Sequence, residues 1–270
     1  MFNLKNKVIV VTGACGLLGK TYCEAIASCG GIPVILDLIQ EKCEKFAKEL
    51  SKKYCIDALG LAVDLTKEGE IAESADFVCA KFGSIDGLIN NAANNPKVET
   101  TLKDNFSRLE KFRLADWESD IAVGLTGAFL CCKHFGHKIS ETPNGGVIIN
   151  ISSDLGIIAP DQRLYRDEKL GEEEQNVKPV TYSVVKSGLI GLTRYMSTYW
   201  CGKVRCNAIC PGGVENGQNK EFITKLIEKI PLRRMANKNE YQGIIVFMLS
   251  DSSSYMNGSI ITIDGGRTAW

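Results

Sequence analysis

The run Lys7-Val8-Ile9-Val10-Val11 leads directly into Thr12-Gly13-Ala14-Cys15-Gly16-Leu17-Leu18-Gly19, and then into a helical stretch that reaches about Cys29. A short β-branched apolar run reads as a buried parallel strand. Strand, glycine turn and helix in that order constrain the fold more than anything else in the chain. They set a helix N-terminus, with its unpaired N–H groups and positive end, at the carboxyl edge of a sheet, where a pyrophosphate binds. The glycines allow a tight turn and a close approach of backbone to phosphate. An ordinary glycine-rich turn with no ligand would carry the same letters, so the residues further along must choose between the two.

The next strand, Ile32 to Leu36, ends in Asp37, 18 positions after Gly19, where a ribose-binding carboxylate belongs. A carboxylate accepts from the ribose hydroxyls and repels a 2′-phosphate. The turn carries Cys15 and no Arg or Lys, so the expected cofactor is NAD(H) rather than NADP(H). A charged helix from Gln40 to Lys53, a strand from Ala58 to Val63 closing on Asp64, a helix from Lys67 to Phe82 and a strand from Ile85 to Asn90 continue the alternation. This predicts an α/β fold, a doubly wound parallel sheet with helices on both faces. Asp64 has two open readings, an acceptor for the adenine amino group or an acid at a helix start. Asn91, Ala92 and Ala93 close the fourth strand, and small residues there suit a backbone packed against a cofactor.

Residues 94–115 read as a polar surface excursion with one short helix. Asp116 to Lys138 reads as a strong helix. His134 and His137 lie near its end, with Cys131 and Cys132 one turn earlier, but no acid joins them and the ligand spacing is wrong, so no metal is expected. The strand Val147 to Ile151 ends in Ser152-Ser153. A hydroxyl at a sheet's carboxyl edge can bond a substrate carbonyl, and no G-x-S-x-G marks Ser153 as a hydrolase nucleophile. From Asp161 to Lys178, ten of 18 residues are charged, which predicts an exposed loop. Arg163 and Arg166 in that loop are candidates to meet an anionic or hydroxyl-rich substrate group, since the guanidinium fork binds two oxygens. A solvated surface loop is the competing reading.

The helix from Tyr182 to Trp200 puts Lys186 four residues after Tyr182, on the same face. A fixed cation lowers the pKa of a phenol from its usual ~10 and makes it a general acid/base near neutrality. The pair alone is common on helices. The chain then gives a strand from Val204 to Ile209, a turn Cys210-Pro211-Gly212-Gly213-Val214, a helical flap within 215–232, a helix from Glu240 to Leu249, a strand from Ser259 to Ile263, and Asp264-Gly265-Gly266. No repeat and no second core appear, so residues 1–270 read as a single domain.

Composition removes several function classes. Lys plus Arg is 32 and Asp plus Glu is 32, so the basic footprint of a nucleic-acid binder is absent. No apolar run is long enough to span a bilayer, so no membrane partner is expected. Eleven cysteines with no signal-peptide layout predict reduced thiols and a cytoplasmic location.

Taken together, Thr12 to Gly19, Asn90 to Ala93, Ser153, Tyr182-x-x-x-Lys186, Pro211-Gly212 and Asp264-Gly265-Gly266 resemble the short-chain dehydrogenases/reductases, in the order that family shows, from about Lys5 to Gly266. The resemblance implies that Tyr182 donates or accepts the proton. Lys186 would lower its pKa and bind the nicotinamide ribose, and Ser153 would orient the substrate oxygen. The same resemblance implies cofactor contacts at Gly13, Cys15, Gly16, Leu17, Leu18 and Gly19 in the turn, and at Asp37, Leu38, Asp64, Leu65 and Asn91 on the adenosine side. Ala92, Ala93, Pro211, Gly212 and the backbone of Val214 complete the set. It also implies a homodimer or homotetramer paired through the helices Asp116–Lys138 and Tyr182–Trp200.

Within the family, the chain is similar to oxidoreductases of bacterial clusters that make nonulosonic, legionaminic-type sugars for flagellin. The implied activity is NAD-dependent hydride transfer to or from a secondary alcohol or ketone, with a sugar derivative as substrate. The alternatives are a reductase of keto or acyl substrates, and a low-turnover NAD-binding subunit of a partner enzyme. Departures from the family pattern are the turn spacing Thr-Gly-x-x-Gly-x-x-Gly, Ala93 where the family has a glycine, the long gap from Ser153 to Tyr182, and Gly124 where the family carries a water-holding Asn. Glycine is expected to leave room for that water, and Gly124→Asn to be tolerated.

Overall fold

The computed structural model describes residues 2–94 and 107–270. Strands β1 (Val8–Thr12), β2 (Ile32–Asp37), β3 (Leu59–Ala62), β4 (Gly87–Asn90), β5 (Gly146–Ile151), β6 (Val204–Pro211) and β7 (Ile260–Ile263) form one sheet in the order β3-β2-β1-β4-β5-β6-β7. Every pairing is parallel. All five residues of β1 are buried, as expected for a strand covered on both faces, where no polar alternation is needed.

Helices α1 (Leu17–Ser28), α2 (Gln40–Tyr54) and α9 (Gln242–Leu249) supply one core, with Tyr22, Ile26, Phe46 and Ile245 against the sheet. Helix α3 (Glu68–Phe82), the long helix over 114–141 and α7 (Val180–Tyr199) supply the other, with Ile71, Leu130, Phe135 and Met196. A fully buried Ile or Leu contributes ~1.5–3 kcal/mol, so these two layers carry the stability. The strand order reverses direction between β1 and β4, and the crevice this opens at the carboxyl ends of the strands is where an open parallel sheet binds its ligands.

Two segments differ from the sequence expectation. The helix expected from Asp116 to Lys138 runs longer and changes its winding. It consists of α4 (Leu114–Ile121), a π turn Ala122–Thr126, α5 (Gly127–Cys131), a second π turn Cys132–Gly136 and α6 (His137–Glu141). Glycines sit at the tight contacts of this helix: a Cβ at Gly127 would lie 3.0 Å from Leu65 Cβ, and one at Gly136 would lie 2.8 Å from the Trp200 ring.

The loop over 161–178 is not simply solvated. It contains 3₁₀ turns at Gln162–Tyr165 and Glu172–Glu174, and Leu164, Gln175 and Asn176 are buried. The Gln175 amide donates to the carbonyls of Asp167 and Leu170 and accepts from the Asp167 N–H. Leu164 packs with Leu226, Ile230 and Met235 around the flap helix α8 (Lys220–Ile227). The density of charged residues along the loop conceals these few inward-facing side chains. Of the excursion expected over 94–115, residues 95–106 lie outside the described residues. Beyond them a 3₁₀ turn spans Leu109–Lys111.

Candidate active site

A cleft of about 600 Å³ lies along the carboxyl ends of the strands. At one end is the glycine turn. Gly13 has φ +60°, and a Cβ there would come within 2.9 Å of Ala92 Cα. A Cβ at Gly19 would meet the Gly13 carbonyl oxygen at 2.3 Å, so this glycine serves the packing of turn on helix and does not face the cleft. The Asn91 amide donates to the carbonyls of Thr12 (2.9 Å) and Gly13 (3.1 Å), bracing the turn. Gly16 caps α1 with no side-chain hydrogen bond, which leaves the first N–H groups of the helix open to a ligand.

Asp37 ends β2 with one carboxylate oxygen accepting from the Cys15 N–H (2.9 Å) and the other from the Leu38 N–H (2.8 Å). Asp64 accepts from both the backbone and the hydroxyl of Thr66, ahead of α3, so it caps no helix N–H, and it lines the cleft. The cradle fits a dinucleotide: an uncapped helix N-terminus, glycines where side chains would intrude, and an acid at the far strand end. All the positions expected to contact the cofactor line this cleft except Cys15 and Gly19. Cys15 turns its thiol to Cys43, with the sulfurs 4.0 Å apart.

At the other end the cleft brings together Ser153, Tyr182 and Lys186. Ser153 follows β5, and Tyr182 stands in the first turn of α7. The Ser153 hydroxyl donates to Asp154 Oδ1 (2.8 Å) and accepts from the Leu155 N–H (3.2 Å). Burial pushes the Tyr182 phenol up from its ordinary pKa. The side-chain hydrogen bond with Ser153 opposes that shift and the Asp154 charge reinforces it.

Lys186 departs from the expected arrangement. Its Nζ lies 5.9 Å from the Tyr182 ring centre and donates to the Ile151 carbonyl at 2.7 Å. The helical spacing sets the stem beside the ring, but the ammonium turns to the end of β5. Burial, and next the neighbouring Lys178, push Lys186 down to about 8.

Arg163 and Arg166 do not line the cleft. Arg163 pairs with Asp161 at 2.7 Å and Arg166 with Glu172, so each is held by an acid of its own loop. The loop presents Leu164, Tyr165 and Lys178 instead. Lys178 and the pair Asp154–Arg267 were not singled out from the sequence. Arg267 donates to Asp154 at 2.6 Å, and their side chains are 8% and 4% exposed, so a buried ion pair ties the C-terminal segment to the serine. The one available signal was an acid directly after Ser153.

Gly124 lies in the first π turn, beside a second cavity of about 10 Å³ lined also by Asp120, Lys178, Tyr182, Val185 and Lys186. That is about the room one water needs. The expectation that an Asn is tolerated at this position is corrected: a Cβ at Gly124 would stand 2.7 Å from Val185 Cγ1. Val185 is buried and β-branched, with one favoured rotamer on a helix, so it does not yield easily. The histidines and cysteines of the same helix are dispersed: Cys131 and Cys132 are in the core, while His134 meets Glu68 at 3.0 Å.

A family model described as enoyl-(acyl carrier protein) reductase matches residues 13–268. D-threitol dehydrogenase of Mycolicibacterium smegmatis is 31% identical over 276 residues, covering 99% of this chain and 95% of that protein. NADP-dependent mannitol dehydrogenase of Hypocrea jecorina is 31% identical over 280 residues, covering 99% and 94%. Post-translational flagellin modification protein A of Campylobacter coli is 26% identical over 267 residues, covering 97% and 98%. Among solved structures, NAD+-bound xylitol dehydrogenase superposes with a TM-score of 0.83 at 26% identity, over 97% of this chain and 99% of that one. With the family match running almost end to end and the serine, tyrosine and lysine gathered at one end of a dinucleotide cleft, the chain belongs to the short-chain dehydrogenase/reductase family and is an oxidoreductase of alcohol or keto substrates.

Proposed function

We propose that the protein interconverts a secondary alcohol and a ketone on a sugar derivative, with NAD(H) as the partner, and that Tyr182 is its acid/base. The observation that carries this reading is the convergence of Ser153, Tyr182 and Lys186 on one wall of a cleft whose other end closes on Asp37. Bound nicotinamide supplies or accepts the hydride. Ser153 orients the substrate oxygen toward the phenol. Tyr182 gives that oxygen a proton in reduction and removes it in oxidation, and the buried Lys186 charge favours the phenolate. Asp37, held by two backbone N–H groups, accepts from ribose hydroxyls and opposes a 2′-phosphate.

The sugar class draws support from the threitol and flagellin-modification relatives and from the polar cleft, where Asn94, Asn216, Gln218 and Arg267 can meet several hydroxyls. By the Campylobacter resemblance, we place the reaction in the making of a flagellin sugar of legionaminic type, in the cytoplasm, where eleven free cysteines stay reduced. A second copy, in a dimer or tetramer, would cover Leu114, Phe129, Tyr195 and Tyr199, all at least half exposed along α4, α5 and α7. A keto- or acyl-group reductase is the second reading, favoured by the description of the matching family.

Purified protein assayed with NAD(H) and NADP(H) against polyols, keto-sugars, sugar phosphates and acyl thioesters tests these readings. Turnover of a sugar with NAD(H) is expected. Preference for NADP(H) overturns the Asp37 argument, and turnover of acyl thioesters alone overturns the sugar.

A further inference from the structure

The cation nearest the Tyr182 ring is not Lys186. Lys178 Nζ sits 3.8 Å from the ring centre, against 5.9 Å for Lys186. The tyrosine therefore has a lysine four residues before it and another four residues after it. The first comes from the end of the charged loop, just ahead of Pro179, which caps α7. The second comes from the helix itself and is bonded to a strand carbonyl.

Lys178 lines both the main cleft and the small cavity beside Gly124, and Tyr182 and Lys186 stand with it in the wall between the two. A cation over an aromatic face is attracted to the ring even when the phenol is neutral, and the attraction grows once the oxygen carries charge. Gly124 brings no side chain to this wall. Lys178 comes to it from the loop, and Asp120 lines the same small cavity.

We infer that Lys178 is a positioning residue for the acid/base, a second cation that holds the Tyr182 phenolate from the loop side. The inference rests on the proposed role of Tyr182. Among the described residues, the charged or titratable groups around the pair are Asp154 with its partner Arg267, Lys186 and Cys210 behind it, Tyr165 from the same loop, and Asp120 of α4 across the small cavity. Burial pushes Lys178 down to about 8, with the Asp154 charge opposing, while burial pushes the phenol up. Below about pH 8 the lysine therefore carries its charge while the phenol keeps its proton. Loss of one proton leaves either a neutral lysine beside a phenol or an ammonium beside a phenolate, and the second form is the one that accepts a substrate proton. Asp154 opposes the phenolate, but its charge is matched by Arg267 at 2.6 Å.

Two measurements test this, one of them independent of any substrate. The tyrosinate absorbance of the wild type minus that of Tyr182→Phe, followed against pH, isolates one phenol among the eight tyrosines of the chain. The same difference taken in a Lys178→Arg background, charged at every pH used, should show its midpoint lowered by about one pH unit, the effect of a nearby cation that persists where Lys178 has lost its proton. Lys178→Met and Lys178→Gln, neutral as the lysine is at that pH, should keep the wild-type midpoint. In alcohol oxidation, the acid limb of the pH–rate profile should move by the same amount, so that Lys178→Met loses about tenfold near neutrality and recovers at higher pH. An unmoved tyrosinate midpoint in Lys178→Arg overturns the inference, as does a loss of turnover in Lys178→Met that is equal at every pH. If the wild type turns over no alcohol while the midpoint still shifts, the proposed function fails and the role of Lys178 stands.

Discussion

The two ends of the cleft are made of different materials. The nucleotide end is built from backbone: glycines at 13, 16 and 19, open N–H groups at the start of α1, and carbonyls braced by Asn91. Its geometry follows from the sheet, where Val11 pairs with Ile89 and Thr12 with Leu36. The reaction end is built from charged side chains taken out of water. Lys186 is 5% exposed, Asp154 3% and Arg267 8%, and Lys178 leans on the Tyr182 ring. Backbone sites cost little to desolvate because the ladder already satisfies most of their groups. Buried charges are costly unless paired. The nucleotide end should therefore be sensitive to shape, and the reaction end to charge.

The sharpest division between the two ends is expected from Tyr182→Phe. Turnover should fall by about 10³-fold, within the range for loss of a general acid/base, while calorimetry shows cofactor affinity little changed. Weakened cofactor binding with turnover retained would place Tyr182 in the nucleotide end instead.

Asp154→Asn tests the charge dependence of the reaction end. It leaves Arg267 buried without its counter-ion, and breaking such a pair costs about 3–5 kcal/mol, a fall in Tm of roughly 10 °C for a chain of this size. Replacing both partners at once, Asp154→Leu with Arg267→Met, should recover much of the loss. Thermal melts of the single and double variants decide whether the pair or only its volume matters.

Gly19→Ala is the matching test of shape. The added methyl meets the Gly13 carbonyl oxygen at 2.3 Å, and strain of this kind costs about 1–3 kcal/mol. Cofactor Kd should rise about tenfold, with turnover at saturating cofactor unchanged. A fall in saturated turnover with unaltered Kd would mean that the two ends are mechanically coupled.

The smallest expected effect is in the pH dependence of stability. The folded-state pKa of Lys178 is about 8, below the ordinary 10.5. Between those values the unfolded chain binds more protons, so this residue's contribution to stability rises with pH across that window. In melts near pH 7.5 and near pH 10, the Tm of the wild type relative to Lys178→Met should move in favour of the wild type by a few degrees. A constant difference would mean that Lys178 titrates as it does in the unfolded chain.

Much of this molecule can be read from the letters. Alternating apolar runs and amphipathic stretches give the parallel sheet and all seven of its strands, because strand and helix periods are local properties of the chain. The glycine turn, Asp37, Ser153, Tyr182 and Lys186 are legible because each occupies a strand end or a helix turn at a set spacing. The loop over 161–178 reads as exposed from its share of charged residues, which is a property of the whole segment. Its inward residues, Leu164, Gln175 and Lys178, are decided by what stands opposite them. The arginines looked like ligand-binding residues only while Asp161 and Glu172 were not seen beside them.

The sequence by itself determined the layering, the place of the crevice and the types of group at its two ends, since these follow from periodicity and from which residues can terminate a strand. Tertiary structure alone decided that Lys186 faces the Ile151 carbonyl, that Lys178 is the nearer cation, that Arg267 reaches back 113 residues to Asp154, and that Val185 fills the space at Gly124. The physical reason is range. Backbone preferences act over a turn or two, whereas electrostatics and close packing depend on distances in space that no spacing along the chain records.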